Sequence, residues 1–363
     1  MNKQLINNLT IRRFRGTRDL TLESLGKINL LVGDNNSGKT SLLEAIYTCC
    51  NPLEPLAWLN TARLRETKSA GSKLESIKWL FPQSGQSGEL YQGETLVSAN
   101  TSFGFLESSG RYEEVEVIGQ VENNLDEGNN FIGIEGDKVK KGAKLSLKAS
   151  FSGEEPMTNK LMIWSDESII ITKPKDNFIP VEIVASFYHR AERLQVELLT
   201  NAIINGNKKD IIELISTVDP AISDIFILCP ETGKSSIYVS HEKLGIVPLS
   251  SLGEGLRSLL FIALTAIKLK KGILLVDDIG LFIHPDSLFS FLSWLVRWCR
   301  KMEAQLFLAT HSLDVVDKML NVSEGTNDLV LYRLPKIGAQ SEIIRIDQPK
   351  LTRIRHNLYL DVR

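Results

Sequence analysis

The stretch KINLLVGDNNSGKTSLLEAI, residues 27–46, decides the architecture. KINLLVG is an uninterrupted apolar run of strand length, the pattern of a strand covered on both faces. GDNNSGKT, residues 33–40, then fits GxxxxGK(S/T) and sits between that strand and a helix beginning near Ser37. Gly33 and Gly38 let the backbone turn and approach phosphates. The amides of Asn35, Asn36, Ser37 and Ser41 and the helix N-terminus receive the negative charge, and Lys39 reaches the outer phosphates. Thr40 is read as an Mg²⁺ ligand through its hydroxyl. A bare Gly-rich turn linking strand to helix is the plain alternative. The complete motif in this context favours nucleotide binding.

Outward from the loop, the chain divides by pattern into three regions: 1–51, 52–180 and 181–363. The first holds two strands, LTIRRFR and DLTLESL, ahead of the phosphate-loop unit. The second is richer in Gly, Ser and Asn. Its alternating segments EEVEVIGQVE (113–122), GAKLSLKASF (142–151) and KLMIWSDESIIITK (160–173) read as an inserted antiparallel β-region preceded by one or two short helices. The third alternates again: a strand at VEIVASFY, helices over 190–217, a buried helix at 256–269, a buried strand at 272–279, an amphipathic helix at 287–302 and a buried strand at 304–312. DLVLYRLP and SEIIRID close it as a hairpin. Continuous apolar strands between helices predict an α/β fold with a mainly parallel sheet covered on both faces.

ILLVDDIGLFIHP, residues 273–285, places two carboxylates at the C-terminal edge of a buried strand, where open α/β sheets bind their ligands. Asp277 is expected to hold Mg²⁺ through water, and Asp278 to orient or activate the attacking water. Capping of the next segment is the structural alternative. AQLFLATHS ends at His311, a histidine ejected from a strand end and able to reach a γ-phosphate or position a water. His284 reads equally well as a turn residue.

Between these lies PLSSLGEGLRSLL, residues 248–260, a Ser- and Gly-rich turn opening a long apolar helix. Taken with IRRFRG, the phosphate loop, VDDIGLFIHP and ATHS, it resembles the ABC-type ATPases of the SMC, RecF and OLD group. The likeness covers residues 1–48 and 210–320, and the insert only loosely. The resemblance implies a P-loop ABC-type ATPase head, with ATP and Mg²⁺ as cofactors, working as a homodimer that sandwiches two ATP molecules. It also implies that Ser251 and Gly253 of one subunit cap the γ-phosphate held by the other; a simple N-cap before a core helix would explain the same residues. The group usually has Glu where this chain has Asp278, one methylene shorter, which predicts slow turnover. Gln83 and Gln86 are weak candidates for a lid-loop glutamine, and Asp286 for a cross-subunit contact. About 50 residues follow His311 and hold no carboxylate cluster of the nuclease type, so the expected effector is a separate protein, as in two-gene anti-phage systems.

The bulk numbers allow this reading without demanding it. With 363 residues, 43% hydrophobic and 24% charged, the chain has ordinary globular values. A net charge of -2 gives no global basic field, so DNA contact would need a local patch. Arg12, Arg13, Arg15 and Arg18, with DKVKKGAKLSLK (137–148), are the candidates; solvated faces are the bland reading. Cys49, Cys50, Cys229 and Cys299 show no CxxC spacing and read as reduced core residues. The start lacks a secretory run and no window of about 18 residues is free of charge, which predicts a cytoplasmic protein that does not span a membrane. A non-hydrolysing nucleotide-dependent scaffold and a transporter ATPase subunit are the competing functions.

Overall fold

The computed structural model describes residues 4–63, 73–84, 90–119, 138–165, 178–184, 192–230, 233–281, 283–335 and 343–363. Its central sheet has the order β15-β14-β3-β13-β12-β8. The strands are β3 (Ile28–Val32), β8 (Val181–Val184), β12 (Ile273–Asp277), β13 (Gln305–Ala309), β14 (Leu329–Arg333) and β15 (Ile344–Asp347). All neighbours pair in parallel except β14 and β15, the expected C-terminal hairpin. Burial on both faces explains the unbroken apolar runs. Successive side chains alternate across the sheet, so Ile28, Leu30, Leu274, Val276, Leu306 and Leu308 enter one core while Leu31, Leu275, Phe307 and Tyr332 enter the other. Each fully buried aliphatic side chain contributes about 1.5–3 kcal/mol.

The first of these cores is closed by α4 (Glu192–Ile204), α5 (Lys208–Val218), α6 (Glu254–Lys268), α7 (Pro285–Lys301) and α8 (Leu313–Val322). The second is closed by α1 (Lys39–Cys50), α2 (Pro55–Arg63), α3 (Lys73–Lys78) and a second sheet. That sheet is wholly antiparallel, in the order β2-β1-β4-β5-β6-β7, built from β1 (Ile6–Phe14), β2 (Thr17–Leu22), β4 (Gln92–Thr101), β5 (Gly104–Gly119), β6 (Lys138–Phe151) and β7 (Met157–Trp164). The antiparallel strands of 52–180 therefore extend the sheet begun by the first two strands, with β4 pairing directly onto β1. Parts of two expected strands, 120–122 and 166–173, lie outside the described residues.

Gln305 joins the two sheets. Fully buried, it accepts from the Ile6 amide at 2.9 Å and donates to the carbonyls of Ile6 and Gly26, each at 2.9 Å. Its side chain acts as a short piece of strand, satisfying backbone groups that water cannot reach. A third, antiparallel sheet of β9 (Ile222–Leu228), β10 (Ser236–His241) and β11 (Gly245–Pro248) occupies a region that the sequence reading leaves unassigned. It leads directly into the loop before α6. Among the described residues no helix is long and apolar enough to cross a membrane.

Candidate functional site

The C-terminal ends of β3, β12 and β13 converge, and the residues read as phosphate-binding, metal-binding and catalytic meet there. The loop after β3 is shaped by its glycines. Gly33 has φ 150°, and a Cβ there would lie 2.8 Å from Ser37 Oγ and 2.9 Å from the Leu334 carbonyl. Gly38, at φ 88°, is the left-handed N-cap of α1, a conformation open to glycine at no steric cost. Asn36 is also left-handed at φ 65°. Ser37 and Ser41 are buried, whereas Asp34, Asn35 and Asn36 face solvent.

Lys39 lies folded on its own loop, donating to the carbonyls of Gly33 at 2.7 Å and Asp34 at 2.9 Å, with Ser37 Oγ at 3.5 Å. Burial lowers its pKa, while Asp278, Asp277 and Asp34 oppose that shift and favour the ammonium. Thr40 Oγ1 donates to Asp277 Oδ2 at 2.8 Å, which puts two hard oxygen groups side by side. No group of three or more His, Cys, Asp or Glu side chains able to hold a metal occurs among the described residues. That donor set suits Mg²⁺, which takes one or two protein oxygens and completes its shell with water and substrate phosphates.

Asp278 begins the turn after β12 in a left-handed conformation, φ 51°, which Asp tolerates better than most residues. Its amide donates to the Ala309 carbonyl at 3.0 Å. Oδ2 lies 3.0 Å from His311 Nδ1, and Oδ1 is buried with no hydrogen-bond partner. Burial raises the pKa of this carboxyl; the charge and hydrogen bond of His311, and then Lys39, pull the other way. The loop between β13 and α8 that carries His311 is pinned by Thr310 N donating to the Leu31 carbonyl and Ser312 N to Thr310 Oγ1, both at 3.0 Å. Arg363 Nη1 also donates to the His311 carbonyl, at 3.2 Å. No sequence signal ties a residue so far along the chain to this loop.

Ser251 and Gly253 stand elsewhere. β11 passes through a short turn, Leu249–Ser251, to Gly253, the N-cap of α6. A Cβ at Gly253 would meet nothing within 4 Å, so the helix start faces open space. Neither residue hydrogen-bonds to the phosphate loop among the described residues. An open cavity of about 340 Å³ here is lined by Asp219, Gly253, Gly255, His284 and Ser287, among others. His284, the exposed N-cap of α7, accepts from the Asp286 amide at 3.3 Å. The Asp286 carboxylate lies 3.5 Å from the same nitrogen. Gln83 forms an isolated bridge with Gly93, and Gln86 lies outside the described residues.

Of the four arginines read as candidates for DNA contact, Arg15 is taken up by the fold while Arg12, Arg13 and Arg18 stay at the surface. The Arg15 side chain, 10% exposed, is bound to Glu44 on α1, with Nε–Oε2 at 2.7 Å. Arg12 pairs with Asp19, Arg13 lies 3.7 Å from Glu94, and Arg18 donates to the carbonyls of Arg15 and Thr17. In the lysine-rich run, Lys141 and Lys144 face Glu116 and Glu113. Cross-strand acids thus offset much of the local basic charge.

Comparisons with known proteins bear on this geometry. Over 83 residues the chain is 39% identical to the uncharacterized protein MJECL11 of Methanocaldococcus jannaschii, covering 22% of this chain and 73% of that one. Over 42 residues it is 50% identical to the DNA replication and repair protein RecF of Pseudoalteromonas translucida, spanning only 12% of either chain. A structure of the SmcHead bound to the C-winged helix domain of ScpA matches 95% of this chain and 99% of its own, with a TM-score of 0.50 and 13% identity, which shows the fold alone. With residues 28–317 matching the family described as "AAA domain, putative AbiEii toxin, Type IV TA system", the chain belongs to that family and has the ABC-type ATPase fold of the SMC and RecF group.

Proposed function

We propose that the protein binds ATP with Mg²⁺ and hydrolyses it slowly as a homodimer. The observation that carries the reading is the pairing, at adjacent strand ends, of Thr40 with Asp277 at 2.8 Å and Asp278 with His311 at 3.0 Å. In this reading Lys39 leaves the Gly33 and Asp34 carbonyls for the outer phosphate oxygens, and the loop amides up to Ser41 take the remaining charge. Thr40 and Asp277 would hold Mg²⁺, which when bound neutralises phosphate charge. Asp278 uses its unpartnered Oδ1 to orient the attacking water and accept its proton, a role suited to a carboxyl whose pKa burial raises. His311 holds the other oxygen in place. Ser251 and Gly253, at a helix start that faces open space, supply the hydroxyl and amides that close the partner's site.

Residues 1–51 and 181–363 form the nucleotide engine in this proposal, and 52–180 the lobe that meets other macromolecules. A separate effector chain, a nuclease in an anti-phage or DNA-processing system, is the partner proposed for it, with DNA acting through that complex. The second reading, a nucleotide-dependent scaffold with negligible turnover, is favoured by Asp278 itself, one methylene shorter than the Glu usual at that position. Light scattering with and without ATP on wild type and Asp278→Ala, with phosphate release in parallel, separates the two. Dimers that accumulate only in the variant with ATP support hydrolysis-gated opening; ATP-driven wild-type dimers without phosphate release support the scaffold. Unchanged size in every condition removes the dimer, and Lys39→Ala binding ATP as tightly as wild type removes the nucleotide reading altogether.

A further inference from the structure

The last stretch of the described chain returns to the nucleotide site. Arg355 holds Asp317 of α8 through two bonds, Nε at 2.7 Å and Nη2 at 2.8 Å, and its Nη1 donates to the Leu360 carbonyl. Val362, 3% exposed, belongs to the core that α8 helps to close, and Ile354 packs against the same core. These contacts fix residues 353–363 along the helix whose N-cap is Ser312. At its end Arg363 Nη2 donates to Asp361 Oδ2 at 2.7 Å while Nη1 donates to the His311 carbonyl at 3.2 Å. The guanidinium also feels Asp34 of the phosphate loop, which, after the bonds to Asp361, helps keep it charged.

Resting on the ATPase reading above, we infer that Arg363 is a positioning residue of the nucleotide site: its fork spans Asp361 and the His311 carbonyl and so holds the His311 imidazole in register with Asp278. The link from Ala309 to Leu313 is short and is tied on its inner side through Thr310 and Ser312. Arg363 supplies the tie at His311 itself. A planar guanidinium with several fixed donors bridges a carboxylate and a carbonyl at once; an ammonium on a flexible stem does not hold that geometry. Because the imidazole meets Asp278 at 3.0 Å, freedom in the His311 backbone becomes freedom in the catalytic pair. Misplacement of such groups lowers turnover steeply while leaving ground-state binding intact.

The test uses the full chain as wild type, Arg363→Gln, Arg363→Lys and Asp361→Asn, read by steady-state ATP hydrolysis, ATP affinity and amide hydrogen exchange. Arg363→Gln is expected to lower kcat on the order of 10-fold with KM within about twofold, and to speed exchange at residues 311–313 while the interior of α8 stays protected. Arg363→Lys should restore little of the lost kcat. Unchanged kcat and exchange overturn the inference, as does a joint fall of kcat, affinity and protection throughout α8, the pattern of a merely structural residue. If Arg363→Gln fails to fold, Asp361→Asn should show a smaller loss confined to kcat, and wild-type kcat there is equally fatal. Lys39→Ala runs beside them: ATP binding that survives it defeats the ATPase reading, while the exchange data still decide the Arg363 contact.

Discussion

Replacing Arg15 by Met tests whether the arginine near the start of the chain serves the fold or an external partner. Glu44 is 0% exposed and the Arg15 side chain 10%; the two share bonds of 2.7 and 3.2 Å, and Nη2 also reaches the Thr61 carbonyl at 3.3 Å. The pair fastens the β1–β2 turn to α1, the helix that begins at the phosphate loop. Met keeps much of the volume but strips Glu44 of its bidentate partner, and breaking a buried pair in this way costs about 3–5 kcal/mol. With a urea m-value near ~3 kcal/mol/M, the unfolding midpoint should fall by about 1 M or more. Arg12→Met is the control, since its pair with Asp19 has side chains 60% and 73% exposed and contributes less than about 1 kcal/mol. Arg15→Met with Glu44→Leu should recover most of the loss, because the buried carboxylate is removed along with its guanidinium. A wild-type midpoint for Arg15→Met, together with salt-dependent DNA binding that disappears, would refute the argument and return Arg15 to the role of a phosphate contact.

Two further perturbations probe the sheet junction and the Asp278 carboxyl. Gln305→Leu leaves the Ile6 amide and carbonyl without their 2.9 Å partner and removes one of the two donors to the Gly26 carbonyl, which keeps Asn29 Nδ2, a cost of about 2 kcal/mol or more in urea unfolding; a loss below about 1 kcal/mol would contradict the bridging role. For Asp278 the folded-state pKa lies above its ordinary 3.8, so the native state holds that proton more tightly than the unfolded chain. The stability contribution therefore falls as pH rises through the raised pKa, and the cost persists at neutral pH. Asp278→Asn, which also tolerates φ 51°, should then be the more stable protein at neutral pH and the less active one, with the gap in thermal midpoints narrowing as pH drops toward about 4. A gap of opposite sign, or one independent of pH, counts against the buried carboxylate.

Much of this molecule was legible because its chemistry is local. A strand, a glycine turn and a helix start are contiguous in residues 27–46, so backbone conformation alone builds the phosphate loop. The Asp277–Asp278 pair and His311 each follow a buried strand, and parallel sheets bring such strand ends together. The unassigned strands β9–β11 carry a readable signal too, since ISDIFIL and SIYVSH alternate in period two, but the segments are short and broken by turns.

What remained hidden depends on partners far apart in the chain. Hydrophobic periodicity says which face of a strand is buried and nothing about its neighbour, so the attachment of β4 to β1 was decided by packing alone. A run of arginines reads as a basic patch until the fold sets Glu44 against Arg15. The contact of Arg363 with His311 spans 52 positions, and composition cannot encode it. Residue types and spacing thus determined which chemical groups this protein possesses, whereas tertiary structure decided which are spent inside the fold and which are left facing a ligand. The physical reason is that charge, burial and hydrogen bonding act through distance in space, which a linear order of residues does not specify.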